Sequence, residues 1–130
     1  MNRVERVELF RSLHVPGDPL VMLNPWDVGS AKLLAALGAK ALGTTSAGHA
    51  FTLGVPDAMI GRSAALAHAR DLCAEVDLPI SGDFENGFGD DPEQVATTIM
   101  LSAEVGLAGV SIEDTNPADG TSYDFELDSC

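Results

Sequence analysis

Basic residues are scarce in this chain. Seven Lys and Arg face twenty Asp and Glu, a formal net charge of −13 over 130 residues, and no lysine follows Lys40. A surface of that sign repels phosphate backbones and anionic headgroups, which argues against nucleic acid and membrane as partners and suits metal cations. Cysteine is scarcer still. Cys73 and Cys130 make no Cys-x-x-Cys pair and no disulfide framework, so a reduced, cytoplasmic setting is expected. No apolar run approaches the roughly 20 residues that span a bilayer. The first ten residues lack the apolar core of a signal peptide and read as an amphipathic helix, with Val4, Val7 and Phe10 or Arg11 at helical spacing. Aromatics are few, at 5%, whereas 13 glycines suggest tight turns between short elements. With 45% hydrophobic residues the chain can still bury a core, and it reads as one domain with no internal boundary.

Short apolar runs alternate with helical patterns. Residues 20–24 (Leu-Val-Met-Leu-Asn) read as a buried strand, 27–37 as a helix with Ala31, Leu34 and Leu37 on one face, and 40–44 as a second strand. A long polar loop is expected over 45–61. A helix over 62–76 aligns Leu66, Ala69, Cys73 and Val76, and a third strand covers 78–83. The next helix has Asp91 as cap, Pro92 at its first position, Gln94 at capping-box spacing, an apolar stripe of Val95, Ile99 and Ala103, and Gly106 as its stop. A fourth strand spans 109–113, and a further helix is expected over 123–127. Strand and helix in alternation imply βαβ units and a parallel α/β sheet.

Polar residues collect just after each expected strand. Asn24 and Asp27 follow the first, Thr44, Thr45 and Ser46 the second, with Asp57 later in the same loop; Asp83 and Glu85 follow the third, Glu113 and Asp114 the fourth. In a parallel α/β fold these ends share one face, where ligands bind. Carboxylates converging there repel one another unless a hard cation neutralises them, and an oxygen-only set selects Mg²⁺ or Mn²⁺ over zinc. Asp27 and Asp91 read better as helix caps. The run from Thr44 to Gly48 can offer hydroxyls and successive amides to an anion. Gly87 and Gly89 permit a sharp turn near a ligand, without the Gly-Lys-Ser/Thr of a phosphate loop. His49 lies in the loop that faces the site, whereas His14 and His68 read as solvated. Trp26 and Cys73 read as packing residues.

These residues resemble the isocitrate lyase/phosphoenolpyruvate mutase superfamily, closest to its phosphoenolpyruvate phosphonomutase-like branch. The resemblance is carried by Asn24 to Ala31 (Asn-Pro-Trp-Asp-Val-Gly-Ser-Ala), Thr44 to Ala47, Leu53 to Asp57, Gly82 to Gly89 and Gly109 to Asp114. It implies a (β/α)₈ TIM-type barrel of which about the first four β/α units are present, so that residues 1–130 would be the N-terminal part of a single barrel domain. It further implies a homo-oligomer that binds Mg²⁺, with Mn²⁺ as substitute, and a small-molecule 2-oxo acid or its phosphonate analogue. Members break or rearrange a carbon–carbon or carbon–phosphorus bond through an enolate-like species. Carried over, Asp83 matches the direct metal ligand. Asp57, Glu85 and Glu113 match acids holding the metal largely through water, with Glu85 and Glu113 as the catalytic candidates. Thr45, Ser46 and Ala47 match the substrate-binding segment. Asp83-Phe84-Glu85 stands where the family often has Asp-x-Asp. The stretch 116–122 lacks the Lys-Lys-Cys-Gly-His of the lyases, which argues against isocitrate or methylisocitrate cleavage.

Two competing readings are a truncated or degenerate non-catalytic protein and a receiver-like α/β binding module. The second is disfavoured, because Asn24-Pro25 replaces the acidic pair a receiver needs and its late lysine is missing.

Overall fold

A computed structural model describes residues 1–116 and 121. The helix expected over 123–127, and most of the stretch 116–122, lie outside the described residues. In chain order the elements are α1 (Arg3–Ser12), α2 (Val28–Ala36), β1 (Leu42–Gly43), α3 (Ser46–Thr52), α4 (Arg62–Glu75), β2 (Ile80–Asp83), α5 (Pro92–Glu104) and β3 (Gly109–Ser111). The three strands form a parallel sheet in the order β1-β2-β3, with Leu42 opposite Ile80 and Ser81 opposite Gly109. Among the described residues no helix is long and apolar enough to cross a membrane.

Caps and stops account for the helix boundaries. Asp27 and Ser30 form a reciprocal capping box at α2, and Asn2 and Glu5 form another at α1. The box expected at α5 does not form. Asp91 accepts from the Glu93 amide instead, and Pro92 opens the helix. Gly38 and Gly106, at φ +95° and +101°, follow the ends of α2 and α5.

The core lies between the sheet and α4, whose Leu66, Ala69, Leu72 and Cys73 are buried with Leu42, Ile80, Phe84 and Leu107. Helix α1 closes the amino-terminal side. Phe10 sits where a Cβ on Gly109 would meet its ring at 2.7 Å, and Arg6 reaches the Val76 carbonyl.

Further sequence expectations need correction. Residues 20–24 are not a buried strand: Leu23 alone bridges Leu42, through the Gly43 amide on its carbonyl at 2.9 Å, and Val21 is 73% exposed. Among the described residues this segment has a partner on one side only. The α5 stripe is also displaced. Thr98 and Ser102 are its buried residues, while Ile99 is exposed.

Candidate active site

The sheet order sets three carboxyl ends side by side. Thr44, just after β1, joins them: its amide donates to the Ser81 carbonyl (2.9 Å) and its hydroxyl accepts from the Asp83 amide (2.7 Å). Asn24 donates to the carbonyls of Gly43 and Thr44, both at 3.1 Å, and so closes the sheet edge. An open depression of about 200 Å³ lies over this edge, lined by Asn24, Thr44, Ser81, Asp83, Ser111 and Glu113 among others. A larger cleft of about 770 Å³ between 58–64 and 85–89 meets the acidic residues through Glu85.

Asp83 is held from one side. The Ser46 amide donates to its Oδ2 at 3.0 Å, while its Oδ1 is buried and accepts no hydrogen bond. A buried carboxylate oxygen without a donor is uncommon and asks for one. The Ser46 amide belongs to the first turn of α3. Thr45 caps that turn, its Oγ1 accepting from the Gly48 amide at 3.1 Å. Ser46 and Ala47 follow, so the three residues expected to bind substrate stand together beside Asp83.

Past β2 the chain reverses sharply. Glu85, Gly87 and Phe88 have φ of +49°, +82° and +60°. Gly87 is needed here, because a Cβ would meet Val95 at 3.0 Å and the positive φ would strain it. The turn is fastened by Thr98 Oγ1, which donates to the Gly87 carbonyl at 2.7 Å, and by the Glu113 amide, which donates to the Glu85 carbonyl at 2.6 Å. Glu85 is thereby folded inward and is 9% exposed.

Burial pushes the Glu85 carboxyl up to about 7, with Asp57, Asp83 and Glu113 adding repulsion. Glu113 is also raised, first by burial and then by Asp83, Asp57 and Asp114. Glu85 and Glu113 therefore both feel the charge of Asp83 and of Asp57, although Asp57 stands exposed on its loop. Their oxygens do not converge on one point: among the described residues no three His, Cys, Asp or Glu side chains are placed to hold a metal ion. The unpartnered Oδ1 of Asp83, the all-oxygen donor set and the raised carboxyls still fit a hard divalent cation that keeps most of its waters.

Several side chains differ from expectation. Asp27, by contrast, is the cap the sequence suggests, its carboxyl held below the usual range by Ser30. Trp26 is half exposed rather than packed, whereas His14 is exposed as expected and bonds the Phe10 carbonyl. Residues 45–61 are not all loop, since they contain α3. His68 is not solvated. Its ring lies face to face on that of His49, centroids 3.7 Å apart and planes 10° apart, and its Nε2 is buried without a partner. The available signal was that His68 flanks the apolar stripe of α4, between Ala65 and Leu72.

A parallel sheet that gathers acids and a capped turn of small residues at its carboxyl edge defines the α/β class of proteins that bind ligands there. More particularly, the chain belongs to the phosphoenolpyruvate phosphomutase family, whose model matches residues 10–129. A candidate lyase/mutase from Burkholderia cenocepacia is 49% identical and superposes with a TM-score of 0.91, over 96% of this chain and 46% of its own. A candidate phosphonomutase from the same organism is 38% identical with a TM-score of 0.90, over 95% of this chain and 50% of its own. Oxaloacetate acetylhydrolase, solved with the product oxalate, is 26% identical with a TM-score of 0.83, over 93% and 44%. An uncharacterized protein of Mycobacterium tuberculosis is 39% identical over 110 residues, which are 82% of this chain and 40% of that protein. The chain thus spans half or less of the length of these relatives.

Proposed function

We propose that the chain carries the metal- and carboxylate-binding part of a Mg²⁺-dependent lyase or mutase, acting on a small 2-oxo carboxylate or its phosphonate analogue through an enolate-like intermediate. Residues 1–130 are the N-terminal part of one barrel, which further β/α units complete. The unpaired, buried Cys73 fits a cytoplasmic, reduced setting, and the family reading adds homo-oligomeric assembly. The family match and the oxalate complex of oxaloacetate acetylhydrolase support the substrate class.

The observation that carries this reading is the asymmetry of Asp83: one oxygen is fixed by the Ser46 amide, the other buried and unpartnered amid repelling acids. Asp83 would hold the cation directly, and Asp57, Glu85 and Glu113 would hold its waters. When bound, the ion supplies Lewis-acid stabilisation of negative charge on the substrate oxygen. The chain's own residues orient the acid. Thr45, Ser46 and Ala47 would receive the carboxylate through the two hydroxyls and the Ala47 amide, the Ser46 amide being held by Asp83, and Glu85, held near neutrality, can carry a proton at its carboxyl beside Glu113.

Calorimetric titration with Mg²⁺ tests it. Asp83→Asn keeps the shape and the Ser46 contact but removes the charge, and is expected to weaken Mg²⁺ binding about tenfold or more. Equal affinity in wild type and variant would overturn the assignment.

A further inference from the structure

We propose that the His49–His68 stack is a clamp that holds the first turn of α3 against Asp83, which makes both histidines positioning residues for the anion that turn receives; the anion itself rests on the reading of Thr45, Ser46 and Ala47 given above.

Helix α3 cannot hold itself in place. It has seven residues, well under the roughly 12–15 an isolated helix needs, and it buries only Ala50. Phe51 is 70% exposed and Leu53, just after it, 56%. Two tethers act on its first turn instead. One is the Ser46 amide on Asp83 of β2. The other is the His49 ring on His68 of α4, a helix anchored in the core by Leu66, Ala69 and Leu72.

The turn transmits what happens at His49. The His49 amide donates to the Thr45 carbonyl at 3.0 Å. Gly48, between them, is packed so closely that a Cβ would meet Thr45 at 2.6 Å and Trp26 at 3.2 Å. A shift of His49 therefore has no slack to absorb it before Ser46. A small, partly open cavity is lined by both histidines and by Thr45, Ser46, Asp83 and Glu85, so truncating either ring opens space beneath the turn.

Metal binding by the pair is excluded by its geometry. The nitrogen lone pairs lie in the ring planes, and two parallel rings stacked face to face do not aim them at a common point. Both rings are kept neutral: burial lowers His49, and burial with His49 beside it lowers His68 to about 4, against opposing pulls from Asp71 on α4 and Asp27 before α2. Neutral rings can lie face to face at this spacing, where two imidazolium ions would repel.

Residue-resolved hydrogen exchange on the chain tests the clamp. His49→Ala is expected to speed exchange of the Ser46 and Gly48 amides about tenfold while β2 amides keep their protection, and His49→Phe, which restores a ring face, is expected to return them to wild-type rates. Unchanged Ser46 exchange in His49→Ala overturns the proposal. So does a Phe variant as fast as Ala, or an equal acceleration throughout β2, which would mean ordinary loss of stability. Oxalate titration in Mg²⁺ runs in parallel, with about tenfold weaker binding expected for His49→Ala and recovery for His49→Phe. If wild type binds no oxalate, the substrate reading fails while the exchange comparison still decides the clamp.

Discussion

Glu85 stands under opposed demands: its backbone is bent into the left-handed region to bring the carboxyl inward, yet three other acids repel it there. The consequence is a measurable pH dependence. Unfolded, its pKa is near 4.5; folded, about 7. Between these values the folded chain binds more protons than the unfolded one, so this residue's contribution to stability falls as pH rises from about 4.5 to about 7. His68 acts in the opposite sense. Its pKa drops from 6.5 to about 4 on folding, so its contribution grows with pH across that window. The two partly cancel, and removing Glu85's charge separates them. Thermal unfolding of Glu85→Gln followed by circular dichroism should match wild type near pH 4.5 and exceed it at pH 8, with added Mg²⁺ at pH 8 closing the gap. A variant less stable than wild type at pH 8 would contradict the electrostatic account. The edge position of Asp83, Glu85 and Glu113 was legible in the sequence, because parallel strands oblige residues after their carboxyl ends to share a face. The His49–His68 stack was not, since a lone histidine on an alanine-rich helix carries no mark of its partner.

At the scale of elements, α2, α4 and α5 follow the sequence reading within about a residue, because Asp27, Gly61 and Asp91–Pro92 start them and Gly38 and Gly106 follow two of their ends. Helix α3 escaped notice because Gly48 interrupts its only run and its burial rests on Ala50 alone. The inner face of α5 was misassigned for a different reason: its buried positions are the hydroxyl residues Thr98 and Ser102, which an apolar stripe does not reveal. Thr98 is fully buried, donates to the Gly87 carbonyl and lies 3.5 Å from an Arg62 nitrogen. It is therefore the strut between α5 and the Glu85–Phe88 turn. Thr98→Val keeps the volume and leaves that carbonyl buried and unpaired, at a cost of about 1–3 kcal/mol in denaturant unfolding. Thr98→Ser should recover most of the loss. Equal stability of the Val and Ser variants would show that the hydroxyl fastens nothing.

For the whole molecule the decisive feature is how the sheet ends. Among the described residues the backbone of 20–24 meets β1 through one bridge, backed by the Asn24 side chain, and β3 pairs with β2 alone. Along the first edge Val21, Met22 and Leu23 are 73%, 38% and 38% exposed, and Ile112 past β3 is 38% exposed. Such an apolar run reads as a buried strand in sequence because strands of parallel sheets are covered on both faces; one solved structure of about twice this length superposes on the chain at a TM-score of 0.91. Open apolar edges pair with whatever strand is available. The net charge of −13 opposes that self-association over distances of about a Debye length, roughly 10 Å at 0.1 M salt. Screening the charge should release it. Sedimentation velocity of the chain is expected to show association that grows between 0.05 and 0.5 M NaCl, about tenfold weaker in Val21→Lys, where a charge blocks the edge. Association that ignores both salt and the Val21 substitution would place the contact elsewhere, on the exposed Leu33 and Leu37 of the α2 surface.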